Sequence, residues 1–232
     1  GAALIRTAPP MNLLRFALAL PLLAGLLGEA VAQPRNDRGG QPGDFDFYVL
    51  ALSWSPGFCE LDGDRDRNRE QCADGAGLGF VVHGLWPQNE RGFPSECGPA
   101  GRTPSRIALD QAKGLFPSEG LARHQWRKHG TCSGSSPSDY FADTRRAREK
   151  VAIPPALAKA GREQNWTAID IERAFVDANP GLRTDMMSVA CRRGVLQEVR
   201  ICLSKDLRNF RMCEEVDRSG CRTRDITVPA PR

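Results

Sequence analysis

The chain has 232 residues, 41% of them hydrophobic and 26% charged, with a formal net charge of +4. That is the size of one domain with a sizeable core, and neither an internal repeat nor a second domain is visible. The basicity is mild: it permits a polyanionic substrate without proving one, because many secreted proteins are as basic.

The first 32 residues do not read as fold. Residues 1–10 precede Met11 and read as an upstream extension. Residues 11–15 make a short basic start, 16–27 an apolar run, and Ala30-Val31-Ala32 fits the small-x-small cleavage rule. Residues 11–32 are therefore expected to be a secretory signal peptide. The apolar run falls short of the ~20 residues of a membrane span. The mature chain is expected to begin near Gln33 without a membrane span. Its removal of Arg6, Arg15 and Glu29 takes the net charge from +4 to +3.

Residues 33–43 read as a flexible leader by composition, ahead of one domain over 44–222. Residues 45–54 alternate and are rich in β-formers, so a strand is expected to end at Ser55-Pro56-Gly57. Residues 60–76 read as a charged surface loop. A second strand is expected over 78–83, buried through Phe80, Val81 and Val82. His83 then sits where the strand emerges, with Gly84 leaving room beside it and Trp86-Pro87 stiffening the exit. Residues 89–104 read as loop and 105–116 as a short helix stopped by Pro117.

Pro117-Ser118-Glu119 opens the next helix: Ser118 can cap free N–H groups, and Glu119 suits the positive end of the dipole. Gly130 reads as its stop in the left-handed conformation. A further helix is expected over 138–151, with Ser138 as cap and Tyr140, Phe141 and Ala147 on its apolar side. Residues 152–165 read as loop with a helical turn. Thr167 and Asp170 form a capping box for a helix running to Asn179. Residues 184–191 and 195–203 flank Arg192-Arg193-Gly194 as a hairpin, with Val199, Ile201 and Leu203 inward. Short strands and turns follow to Cys221, and 223–232 are expected to fray.

Eight cysteines lie beyond the signal peptide: Cys59, Cys72, Cys97, Cys132, Cys191, Cys202, Cys213 and Cys221. An even number in an exported chain implies disulfides, and zinc is a poor alternative because no C-x-x-C pair exists. Eight cysteines admit roughly a hundred connectivities. Spacing favours Cys59 with Cys72 as a local loop, and the last four look nested.

The chain has three histidines, His83, His124 and His129, all within two Trp-containing stretches, 80–88 and 124–132. At ~3.6 residues per turn, positions four apart share a helix face. His124 with Lys128, and Gln125 with His129, therefore cluster on one side, while Trp126 and Arg127 project elsewhere. Two imidazoles, an ammonium and an amide form a proton-transfer and anion-binding set. A zinc-protease helix would need H-E-x-x-H. Here the two histidines are five apart and glutamine holds the glutamate position, so ligand number and geometry both fail and no metal is expected. A solvated polar face would explain one histidine better than three.

The two stretches, Phe-Val-Val-His-Gly-Leu-Trp-Pro-Gln at 80–88 and His-Gln-Trp-Arg-Lys-His-Gly-Thr-Cys at 124–132, resemble the active-site segments of the ribonuclease T2 family. Residues 48–59 resemble that family's first strand and 198–206 its late strand, so the similarity spans about 45–215. The resemblance implies an α+β fold, a central antiparallel sheet packed by helices in a single disulfide-bonded domain. It also implies the pairs Cys97–Cys132, Cys191–Cys221 and Cys202–Cys213 beside Cys59–Cys72.

It further implies a metal-independent endoribonuclease, without cofactor, acting on single-stranded RNA. His83 and His129 match the catalytic pair, with His129 expected as base and His83 as acid. Lys128 would stabilise charge on the phosphorane, and His124 would bind the phosphate or help seat the leaving group. The ribose 2′-OH would attack to give a 2′,3′-cyclic phosphate and then a 3′-phosphate. DNA lacks that hydroxyl and should not be cut. Gln125 stands where the family pattern has Glu; it is isosteric and can donate, but cannot carry charge. Tyr48, Trp54, Trp86 and Phe93 are candidates for stacking on bases, whereas Trp126 and Trp166 suit packing. Arg123 and Arg127 would form a solvated basic surface. The protein is expected to be monomeric and exported, to the periplasm or beyond. The competing readings are an RNA-binding or signalling protein on the same scaffold, weakened by Gln125, and a metal hydrolase.

Overall fold

Apart from Ala2, the computed structural model describes residues 36–63, 68–98, 103–158 and 161–231. The expected extension and signal peptide lie outside the described residues, as does the start of the leader. The rest of the leader contains β1 (Asn36–Arg38). Beyond it the Gly43 N–H donates to the Cys132 carbonyl at 2.9 Å. β2 (Phe47–Trp54) leads into α1 (Ser55–Leu61) rather than a turn. The reason is Pro56: in the first turn of a helix its missing N–H costs nothing, so Ser-Pro-Gly opens a helix there. α2 (Arg69–Cys72) then lies in the segment closed by Cys59–Cys72.

β3 (Phe80–Gln88) and β4 (Phe93–Ser95) follow, and β4 pairs in parallel with β1. α3 (Arg106–Ala112) and α4 (Glu119–Lys128) start where Ser105 and Ser118 accept backbone N–H groups three residues on. α5 (Pro137–Lys150) is capped by Ser136, not Ser138, because Pro137 fits the first helical position and leaves Ser136 to accept from the Asp139 N–H. After α6 (Pro155–Ala158) and β5 (Gln164–Trp166), Thr167 accepts from the Asp170 N–H to start α7 (Ala168–Ala178). β6 (Met187–Arg192) and β7 (Val195–Ser204) form the expected hairpin. Both turn residues are left-handed, Arg193 at φ 51° and Gly194 at φ 77°, as a tight hairpin turn requires. α8 (Glu214–Arg218) and β8 (Ile226–Val228) complete the chain.

The main sheet has the order β3-β2-β7-β8-β5, with β6 also paired to β7. Its pairings are antiparallel except for β7 with β8, joined at Val195 and Thr227, so the sheet is mixed and the fold α+β. The expectation of a frayed end is corrected at β8. Ile226 and Val228 are fully buried, and the Trp54 indole N–H donates to the Pro229 carbonyl at 3.0 Å. Three residues give too short a pattern to announce a strand, so tertiary burial decides here.

Strand alternation gives the sheet two faces. Tyr48, Leu50, Leu52 and Trp54 of β2 share one face with Val199, Ile201 and Leu203 of β7, packed with Tyr140, Phe141 and Phe175 in the main core. Phe47, Val49 and Cys202 point the other way, into a smaller cluster with Cys213, Val216 and Trp86. The four cysteine pairs are Cys59–Cys72, Cys97–Cys132, Cys191–Cys221 and Cys202–Cys213. No helix among the described residues is long and apolar enough to cross a membrane.

Candidate active site

β3 does not end at His83 but runs on to Gln88. Ala51 of β2 pairs with Gly84 and Leu52 with Val82, so His83 is an extra residue with no partner in β2. Such a bulge re-aims a side chain. Without it His83 and Trp86, three apart, would point to opposite faces. The inserted residue shifts the alternation by one, and both rings reach the same cleft.

The opposite wall is α4 and its C-terminal cap, His129. The Glu96 N–H donates to the Lys128 carbonyl at 2.8 Å, the Cys97 N–H donates to Thr131 Oγ1 at 3.2 Å, and Cys97–Cys132 closes the same junction. Gly130 is not left-handed, contrary to expectation; it opens a 3-10 turn over Gly130–Cys132. Its role is contact: a Cβ there would lie 2.4 Å from the Trp126 ring. Gly84 has the same logic, since a Cβ would lie 2.2 Å from both Gln125 Oε1 and Trp86 Nε1. The space it leaves holds the hydrogen bond from the Trp86 indole to Gln125 Oε1, at 2.9 Å.

His83, His124, Gln125, Lys128 and His129 line one cavity of about 490 Å³, together with Trp86, Phe93 and Arg200. Trp86 touches both expected catalytic rings. His83 meets it edge-on at 5.2 Å and His129 stacks on it at 5.2 Å. Burial, reinforced by the charges of Lys128, His83 and His124, pushes the His129 imidazole down to about 3. Its Nδ1 is buried without a hydrogen-bond partner among the described residues, which leaves Nε2 as the nitrogen able to serve a ligand. His124 is lowered by burial and then by Lys128, Arg127 and His83, with Glu96 opposing. No cluster of three or more His, Cys, Asp or Glu side chains suited to a metal occurs among the described residues.

The family model of the ribonuclease T2 family matches residues 45–213. The chain belongs to the ribonuclease T2 family. A ribonuclease of Aeromonas hydrophila is 38% identical over 176 residues, covering 72% of this chain and 75% of that protein. Ribonuclease I of Escherichia coli is 31% identical over 153 residues, 48% of this chain and 56% of that protein. Among solved structures, an RNase-related protein from Calystegia sepium superposes with a TM-score of 0.62 at 21% identity, covering 81% of this chain and 98% of that one. RNase NT in complex with 5′-AMP gives 0.58 at 21% identity, covering 81% and 99%. These structural likenesses carry the fold; family membership and the named relatives carry the activity. The protein is a ribonuclease T2-type endoribonuclease, and RNA is its substrate.

Two of the four candidates for base stacking are corrected within this T2 fold. Trp54 is fully buried and bonded to Pro229, and Tyr48 is 3% exposed and packed against Phe45. Burial and the nearby Asp143 push the Tyr48 phenol up, as suits a core tyrosine. Both residues share parity with Leu50 and Leu52 and so face the helices. Trp86 and Phe93 do line the cleft, while Trp126 is buried. Glu198 and Arg200 received no role from the sequence. Both occupy the face of β7 opposite Val199 and Ile201, and Glu198 Oε2 lies 2.5 Å from His83 Nδ1. A carboxylate alternating with buried aliphatics, on a strand separated from the histidine strand only by β2, is the signal that would have found them.

Proposed function

We propose that this ribonuclease cleaves single-stranded RNA by transesterification, with His129 as general base and His83 as general acid. The observation that carries the reading is the pair of imidazoles on one cavity in unlike surroundings. His129 is buried among cations and held neutral, with His83 beside the buried carboxylate of Glu198. Unlike environments for two titratable groups are the usual basis for dividing acid from base. In this scheme His129 takes the 2′-OH proton, the oxygen attacks phosphorus, and His83 protonates the departing 5′-oxygen. A cyclic 2′,3′-phosphate results. Water then repeats the sequence with the roles reversed, leaving a 3′-phosphate. Lys128 and His124 hold the phosphate, and Lys128 offsets the charge of the phosphorane. The phosphate charge in turn counteracts the cations that depress His129, making it a better base once RNA is bound.

Gln125 is 1% exposed, and its carbonyl accepts from Trp86, leaving an NH₂ that can only donate. That suits a hydrogen bond to the phosphorane and supports an active enzyme over a weakened binding scaffold. Base stacking falls to Trp86 and Phe93. DNA, lacking the attacking hydroxyl, is not cut. The enzyme acts as a monomer, needs no cofactor, and is exported to the periplasm or secreted.

The test is digestion of single-stranded RNA in excess EDTA, with His83→Ala and His129→Ala as controls. Wild type should retain full activity and leave cyclic ends, while each variant loses roughly 10²–10⁴-fold. Loss of wild-type activity in EDTA would point to a metal hydrolase. Binding without cleavage would point to the weakened scaffold.

A further inference from the structure

β7 runs beside β2 and sets Glu198 opposite Ser53, on the cleft face of the sheet. The Glu198 side chain is 8% exposed, and a buried carboxylate is costly unless both oxygens are paired. Both are: Oε2 lies 2.5 Å from His83 Nδ1, and Oε1 accepts from Arg200 Nε at 2.7 Å. Arg200 is itself held over the Trp86 ring, 5.5 Å from its centroid. Burial raises the Glu198 carboxyl, but the His83 and Arg200 contacts outweigh it and hold the group below its ordinary value. It is therefore an ion that can only accept.

We propose that Glu198 is a positioning residue for His83. An accepting carboxylate fixes the proton of His83 on Nδ1, so Nε2 is the nitrogen that faces the leaving oxygen. Its negative charge also compensates the imidazolium that general-acid catalysis requires. Arg200 occupies the second oxygen and keeps the carboxylate from turning away. The other titratable or charged groups lining the cavity with His83 are His124, Lys128 and His129 on the α4 side, which supply no negative charge, and Glu215 of α8, whose two carboxylate oxygens accept from the Gly92 N–H. The inference rests on His83 being the acid.

Glu198→Gln keeps the shape and an acceptor but removes the charge. On a dinucleotide, kcat should fall about 10–100-fold with KM within about twofold. The alkaline limb of the kcat profile should move to lower pH. On the p-nitrophenyl ester of uridine 3′-phosphate, whose leaving group needs no proton, the loss should shrink to under about threefold for Glu198→Gln and His83→Ala alike. If His83→Ala is equally defective on both substrates, the acid assignment fails. If His83→Ala is selective but Glu198→Gln is either unimpaired or equally impaired on both, Glu198 does not position the acid. Imidazole ¹⁵N spectra of the wild type need no variant to fold. Neutral His83 should appear as the Nδ1–H tautomer, and a dominant Nε2–H tautomer would overturn the inference.

Discussion

His129 should make the protein's stability depend on pH in a way that one substitution removes. Burial pushes its imidazole down to about 3 in the folded protein from an ordinary value of 6.5. A folded-state value below the unfolded one means that the unfolded chain binds the extra proton first. The contribution is complete above the unfolded value and is lost as pH falls through the window from 6.5 toward 3. Between about pH 7 and pH 5 the unfolded state takes up most of one proton here, which lowers stability by about 2 kcal/mol. The side chain is 4% exposed, so solvent screening takes little from this figure. His129→Phe keeps a flat ring against Trp86 and has no proton to gain. Any packing change it brings is the same at both pH values and cancels in the comparison. Urea unfolding followed by circular dichroism at the two pH values gives the loss for each protein. Wild type should lose about 2 kcal/mol more than the variant on acidification. Equal losses would refute a buried, neutral His129 and with it the reason for choosing this residue as the base.

Gln125→Glu retains the acceptor for Trp86 and adds negative charge on the His129 side of α4. The acid limb of the pH–rate profile should move up by about one unit; superimposable profiles would exclude a tuning role for position 125. Gly84→Ala drives a methyl into both partners of the Trp86–Gln125 hydrogen bond. It should cost about 1–3 kcal/mol in thermal or urea unfolding and lower kcat; an unchanged midpoint and rate would show that the bond has room to shift. Replacing Cys97 and Cys132 together by Ala opens a loop with a sequence separation of 35. The chain-entropy model puts the loss at about 4 kcal/mol in urea unfolding, and no measurable loss would show that the backbone bonds of Glu96 and Cys97 hold the junction alone.

Much of this site was legible because its chemistry is concentrated. The three histidines fall in two short stretches, and helix spacing alone groups His124, Gln125, Lys128 and His129. Ser118 marks the start of α4, and the alternation of Val199, Ile201 and Leu203 marks the inward face of β7. What escaped depends on contacts distant in sequence. A bulge at His83 is a matter of register against β2, and nothing in 78–83 announces it. Gly130 reads as a left-handed stop until Trp126 is packed against it. Tyr48 and Trp54 resemble base platforms by residue type, yet their parity with Leu50 and Leu52 already turned them toward the core. Glu198 lies 115 residues from His83, so its role follows from pairing across β2, not from local sequence.

The most direct test uses a DNA oligonucleotide carrying a single ribonucleotide, incubated with enzyme in EDTA and followed by ³¹P NMR. One cut is expected, on the 3′ side of the ribonucleotide, with the signal of a 2′,3′-cyclic phosphate appearing before that of a 3′-phosphate. Cleavage at deoxynucleotides, or products ending in 5′-phosphate, would contradict an attack by the 2′-hydroxyl between His129 and His83.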